Sequence, residues 1–146
     1  MGNRYEAGVA HTTGAAAGHI VTLVTASGSR AVIREIGVFA TTAVAGEISL
    51  GRPAAVGTGT VGGQLGQALD FADTAALTTL TGAFGTLQPT APTTFFRRLQ
   101  LPAVIGAGVI WSWEVGELIV PVSANLCVWQ LSAAAVGYDC YVKWSE

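Results

Sequence analysis

The 146-residue chain carries only 7 basic and 9 acidic side chains, 11% of its residues, whereas about a quarter of an ordinary globular domain is charged. Hydrophobic residues make up 51% of it, yet the sequence contains no run of about 18 apolar residues that could form a membrane helix. We therefore expect no membrane contact. With a net charge of −2, a single lysine and no basic cluster in the sequence larger than the pair Arg97 and Arg98, we expect no nucleic-acid partner.

The length of the chain fits one domain over residues 1–146. The small number of charged residues indicates that other subunits cover part of its surface. A compact monomer with an uncharged Thr/Gly surface is the alternative.

The residues of the N-terminal region do not fit the pattern of a targeting signal. Residues 7–29 are uncharged, but His11, Thr12, Thr13 and His19 interrupt the apolar stretch that a secretory leader needs. We therefore predict no signal peptide and interpret residues 1–18 as a candidate N-terminal arm. The two histidines have no acidic or cysteine partner beside them, so we expect surface or turn histidines.

Alternation of apolar and polar residues dominates the chain, and no long helical period interrupts it. Runs rich in β-branched and aromatic residues and bounded by Gly or Pro mark the candidate strands. These are residues 19–26, 31–40, 47–52, 93–101, 108–115, 118–122, 126–133 and 138–145. The pattern predicts an all-β protein, specifically an antiparallel β-sandwich of jelly-roll type.

Five residues are candidates for a subunit interface. Arg34 and Glu35 stand next to each other inside a strongly apolar strand, so we expect an ion pair within the sheet or between subunits. Arg97 and Arg98 form the densest basic pair, and Tyr141 lies on the polar side of the last strand. We predict that these residues contribute to contacts between subunits.

Residues 53–92 break the rhythm of short strands, with only Asp70 and Asp73 as charges and many Gly, Thr and Ala residues. Loops beyond about 15 residues are usually functional or disordered, and this segment lacks the high charge typical of disorder. We interpret it as a long extended loop or arm that lies on a neighbouring subunit, with a floppy insertion as the alternative.

The same segment contains a match to the dinucleotide-binding fingerprint at residues 57–62, GTGTVG. The required context is missing, because neither a βαβ pattern nor an acidic residue about twenty positions further on accompanies it. We predict no cofactor.

The C-terminal quarter shows the clearest alternation. If residues 134–137 form a four-residue loop, residues 126–133 and 138–145 pair as a hairpin that sets Leu131 opposite Cys140 and Cys127 opposite Trp144. In that register the two cysteines are too far apart to bond, so we expect free buried thiols.

Aromatic and acidic residues provide the remaining candidates. The four tryptophans fall on apolar faces, where core packing is favoured over stacking on sugars; they are Trp111, Trp113, Trp129 and Trp144. Glu114 and Glu117 could be a carboxylate pair for glycoside chemistry, but they are expected at a strand end and turn. No nucleophile elbow or phosphate-binding loop is present, so we predict no enzyme and no metal; an enzyme that uses His11 or His19 is the alternative.

Several blocks of the sequence resemble small β-rich virion proteins of tailed bacteriophages. They are residues 34–39 (REIGVF), 41–43 (TTA), 50–53 (LGRP), 108–111 (GVIW), 118–121 (LIVP) with Asn125, and 141–146 (YVKWSE). The resemblance covers about residues 30–146 and is weakest over 53–92.

The resemblance implies a jelly-roll-like subunit of the phage particle, made in the bacterial cytoplasm and located in the virion, with the head surface favoured. It further implies a capsid decoration (cement) protein, a homo-oligomer with a trimer favoured, whose partner is the major capsid protein. A minor tail or head-fibre module that recognises host glycans through Tyr138 or Tyr141 is the alternative.

Overall fold

The computed structural model describes residues 2–14, 16–61 and 63–146. This part of the chain forms 14 β-strands and no helix, and therefore contains no helix that could span a membrane. Two six-stranded antiparallel sheets pack against each other, and a two-stranded sheet is added to them. The predicted all-β antiparallel sandwich is confirmed, while the jelly-roll arrangement stays a prediction.

Sheet A contains β1 (Arg4–Thr12), β3 (Ala31–Ala40), β7 (Gln67–Ala68), β11 (Gly108–Ser112), β12 (Ile119–Val120) and β14 (Gly137–Ser145). Its strand order is β11-β3-β14-β1-β7, with β12 also beside β3. Sheet B contains β2 (Gly18–Val24), β4 (Gly46–Gly51), β6 (Gln64–Leu65), β8 (Thr79–Thr81), β10 (Phe95–Leu101) and β13 (Asn125–Gln130). Its order is β10-β4-β13-β2-β8-β6. The two-stranded sheet pairs β5 (Thr58–Val61) with β9 (Ala83–Leu87).

The hydrophobic core lies between sheets A and B. Alternate residues of β14 point into it, from Tyr138 to Trp144, and residues such as Val128 of β13 face them from the other sheet. Trp111 and Trp144 belong to the core and Trp113 packs against it, as predicted, whereas Trp129 is buried outside the core. Cys127 and Cys140 are free and buried, as expected.

The predicted C-terminal hairpin is wrong. Strands β13 and β14 lie in different sheets: β13 pairs with β2 and β4, whereas β14 pairs with β3 and β1. The connection over residues 131–136 therefore crosses the sandwich instead of turning within one sheet. The buried amide of Gln130 fixes this crossing, because it donates to the carbonyl oxygens of Ser132 and Ala134 and accepts from the Tyr138 hydroxyl.

The N-terminal segment is a strand, not the predicted arm. Residues 4–12 form β1, which pairs with β14 along its whole length from Arg4 opposite Ser145 to Thr12 opposite Gly137. Tyr5 and Ala7 are buried in the core on its inner face. The alternating residues of this segment explain its place in the sheet.

The segment 53–92 folds onto its own chain, which corrects the interpretation as an extended arm. Its short strands β6 and β8 join sheet B, and β7 joins sheet A. Gly66, between β6 and β7, lies against the Trp144 ring, and Pro92 lies against Gly51. Gly51 is opposite Cys127, which is buried but is not part of the core between the sheets. Pro92 therefore covers the side of sheet B that faces away from the core. Exposed apolar side chains remain at Leu69, Phe71 and Leu77.

Candidate interaction face

The two sheets differ in how their outer sides are covered. Sheet B has the segment 53–92 on its outer side, where Cys127 and Trp129 are buried. The outer side of sheet A, which we call the open face, is formed by the residues that alternate with the core residues of β1, β3, β11 and β14. Its members are Glu6, Gly8, Ala10, Glu35, Gly37, Phe39, Ile110, Ser112, Asp139, Tyr141 and Lys143.

Small residues leave part of the open face accessible to solvent. Gly8 and Ala10 are exposed, and Ile110 presents 55% of its surface to solvent. Gly37 lies directly beneath the Tyr141 ring, where a side chain would collide with the ring. A shallow depression of about 330 Å³ lies over Gly8 and Ala10 and is bordered by Phe39, Asp139 and Tyr141.

A β-bulge explains the unusual Arg34-Glu35 pair. Glu35 is opposite Lys143 and Ile33 is opposite Trp144, which leaves Arg34 as the extra residue of β3. Because a bulge changes the direction of the side chains that follow, Ile36 and Val38 can both return to the core after two consecutive charged residues. Arg34 also uses its carbonyl oxygen to accept from the Trp113 amide at 3.1 Å.

Glu35 is the centre of a polar network on the open face. Its Oε1 accepts from the Tyr141 hydroxyl at 2.7 Å and from Lys143 Nζ at 3.0 Å. These hydrogen bonds lower the pKa of Glu35, that from Tyr141 most, whereas burial followed by the hydrogen bond to Glu35 raises the pKa of Tyr141 to about 12. The ion pair predicted for Glu35 therefore lies within the sheet, and its partner is Lys143 rather than Arg34.

We expect Tyr141→Phe to raise the pKa of Glu35 toward its ordinary value, because the variant removes the strongest donor to the carboxylate. The contribution of this network to stability is present at neutral pH and is lost as the pH falls through the depressed pKa of Glu35. A ¹³C NMR titration of the glutamate carboxyl carbons measures the change. The matched variant Tyr5→Phe removes a hydroxyl bound to Thr74 and should leave the pKa of Glu35 unchanged; an unaltered pKa in Tyr141→Phe would contradict this assignment.

The other two interface candidates lie elsewhere, on the edge strand β10 of sheet B. Arg98 donates to Glu47 Oε1 from both Nε at 3.2 Å and a terminal nitrogen at 2.6 Å. The guanidinium of Arg97 stacks over the Trp113 ring at 4.6 Å. The structure thus places Glu35 and Tyr141 together on the open face, with Arg34 adjacent to Glu35 in the chain, whereas Arg97 and Arg98 belong to an edge strand of the other sheet.

The two histidines meet, with ring centroids 5.6 Å apart, but His19 is not a surface residue. It is only 2% exposed and packs edge-on against Phe84. Neither of its ring nitrogens has a hydrogen-bond partner among the described residues, and this part of the chain contains no group of three side chains suited to a metal ion. The expectation of surface or turn histidines is therefore wrong for His19.

The remaining sequence motifs form parts of a strand and of a turn. Residues 58–61 of the GTGTVG motif form β5 instead of opening a helix, and Gly62 at its end lies outside the described residues. Glu114 and Glu117 close a turn, in which the Glu114 amide donates to Glu117 Oε2 at 2.8 Å, as expected from their position.

Comparison with models of protein families gives no match, and comparison with curated proteins gives none at a significant level.

Proposed function

We propose that this protein is a structural subunit of a tailed-bacteriophage virion, a capsid decoration protein that attaches through the open face of sheet A. The virion assignment rests on the resemblance of residues 30–146. The attachment role rests on one observation, that the outer side of sheet A carries no covering segment among the described residues whereas that of sheet B does.

Physical chemistry supports docking at this face. Its glycine and alanine residues allow close approach of a partner backbone, and Ile110 and Phe39 supply apolar surface. Burying apolar surface contributes about 25 cal/mol for each Å² removed from water, before the costs of association. Repetition over many sites on a shell multiplies that contribution. We keep the major capsid protein as the partner and a homotrimer as the assembly state within this proposal.

The test is reconstitution of shells that lack this protein. Adding the protein back should raise the temperature at which shells open, measured by calorimetry of intact particles. Ala10→Arg places a long side chain on the open face beside Asp139, its register partner, and should abolish protection. Ala54→Arg is the matched control, since Ala54 is exposed in the segment that covers sheet B. Equal protection by both variants, or none by the wild type, would refute the proposal.

A second candidate function is a minor tail or head-fibre module that binds host glycans. The depression bordered by Phe39, Tyr141 and Asp139 favours it, because aromatic rings stack on sugars and a carboxylate accepts from their hydroxyls. Tyr138 is excluded from that role because it is 1% exposed and bound to Gln130. Retention on glycan surfaces that Tyr141→Ala abolishes, with shell protection intact, would select this function.

A further inference from the structure

Three arginines surround one pocket next to the open face. Arg4 of β1, Arg34 of the β3 bulge and Arg30, which precedes β3, line a cavity of about 380 Å³. The register explains their convergence, since Arg4 and Val32 are both opposite Ser145, from the two strands that flank β14. Three of the chain's seven basic side chains therefore meet at one place in a protein of net negative charge.

None of the three guanidinium groups has a hydrogen-bond or ion-pair partner among the residues that the structure describes. The ion pairs found there join Arg98 to Glu47 and Lys143 to Glu35. Like charges placed together repel one another, and an anion bound between them would relieve this repulsion.

Glu146 also lines the pocket, but its carboxylate accepts hydrogen bonds from other groups. Its side-chain oxygens accept from the Ser29 hydroxyl, the Leu77 and Thr78 amides and Trp144 Nε1, at 2.9 to 3.0 Å. Glu146 thus holds the loop before β8 against the end of β14 and makes no ion pair with the arginines among the described residues, so its one charge offsets only part of theirs. The pocket keeps an excess of positive charge.

We propose that this arginine pocket binds the carboxylate side chains of an acidic segment of the partner protein, and this inference rests on the docking role proposed above. Guanidinium groups bind carboxylates through paired hydrogen bonds. Val32 and Val115, the latter 71% exposed, add apolar wall to the pocket. An apolar wall suits a peptide in which glutamates alternate with aliphatic residues, and three cations are too few for a nucleic-acid backbone.

The experiment uses the isolated full chain and three probes: a capped Val-Glu-Glu-Val peptide, its Val-Gln-Gln-Val counterpart and inorganic phosphate. Binding is followed by the NMR signals of the arginine Nε–H groups and by calorimetry. We expect the glutamate peptide to shift the signals of Arg4, Arg30 and Arg34. Changing all three to glutamine should weaken binding by about tenfold or more, as expected for loss of charge-assisted hydrogen bonds.

The matched control changes Arg52, Arg97 and Arg98 to glutamine, which removes the same number of positive charges at a different place. Arg97 and Arg98 are on β10 of sheet B, and Arg52 follows β4 of the same sheet. This control should bind the glutamate peptide as the wild type does. Equal loss in both triple variants, equal binding of the glutamine peptide, or tighter binding of phosphate would overturn the proposal. Because no particle is needed, peptide binding without shell protection would refute the virion role alone, and protection without peptide binding would refute the pocket alone.

Discussion

Replacing Gln130 with leucine is expected to lower the free energy of unfolding by about 2–4 kcal/mol, because it leaves several buried polar groups without partners. Gln130 is 0% exposed, and its Oε1 accepts from Tyr138 at 2.8 Å and from the Thr13 hydroxyl at 3.1 Å. Its Nε2 donates to the carbonyl oxygens of Ser132 and Ala134. Urea unfolding at neutral pH measures the loss.

The matched control is Gln100→Leu on β10, where the glutamine is exposed and its amide reaches only the Leu101 carbonyl, at 3.5 Å. This change should alter stability by less than about 0.5 kcal/mol. Tyr138→Phe removes one hydroxyl from the network and should cost about 1–2 kcal/mol, but much less once Gln130 is already leucine. Additive effects of Gln130→Leu and Tyr138→Phe would show that the two side chains do not act as one unit.

Gln130 also shows why strands were predictable from the sequence and their pairing was not. Alternation depends on neighbouring residues, and so the strand at residues 31–40 is found with its exact limits and seven others within a few residues, whereas β1 and the short strands β5 to β9 were not among the predicted strands. Pairing depends on groups far apart in the chain. Residues 126–133 and 138–145 also fit a hairpin pattern, but their partners are distant strands, and the buried amide of Gln130 stabilises the crossing between the sheets.

Parts of the candidate site had signals in the sequence that pattern reasoning did not use. Two adjacent charges at Arg34 and Glu35 within an apolar strand are the mark of a bulge, which lets both avoid the core. The convergence of Arg4, Arg30 and Arg34 had no local signal, because it arises from the pairing of β1, β14 and β3. The same holds for the open face, whose exposure depends on where residues 53–92 pack.

The burial of His19 was not predicted from the sequence either, and it has a measurable consequence. A register shift between Val21 and His19 places His19 opposite Trp129 on the outer side of sheet B, where Phe84 of the segment 53–92 packs against it, so its burial depends on residues far away in the chain. Burial, followed by repulsion from His11, lowers the pKa of His19 to about 3. The neutral imidazole is therefore the form that the folded chain holds.

We expect acid to destabilise the fold through His19. In the unfolded chain the imidazole takes up a proton near its ordinary pKa of 6.5, whereas the folded chain resists protonation down to a pKa of about 3. The unfolded state thus binds more protons between these values, and the free energy of unfolding falls by about 1.4 kcal/mol for each pH unit, or about 3 kcal/mol from pH 6.5 to pH 4. Urea unfolding at a series of pH values measures this slope.

The variant His19→Leu separates this effect from the titration of carboxylates such as Glu35 and Glu146, which both proteins share. Because neither ring nitrogen of His19 has a hydrogen-bond partner among the described residues, leucine should stabilise the fold by about 1–2 kcal/mol at pH 7. The advantage of the variant should then grow as the pH falls below 6.5, since only the wild type has a buried imidazole to protonate. His11→Leu, at a half-buried position, is the control and should change the slope less. Parallel pH curves for the wild type and His19→Leu would mean that the imidazole finds a proton acceptor or solvent in the folded chain, and that burial does not set its pKa.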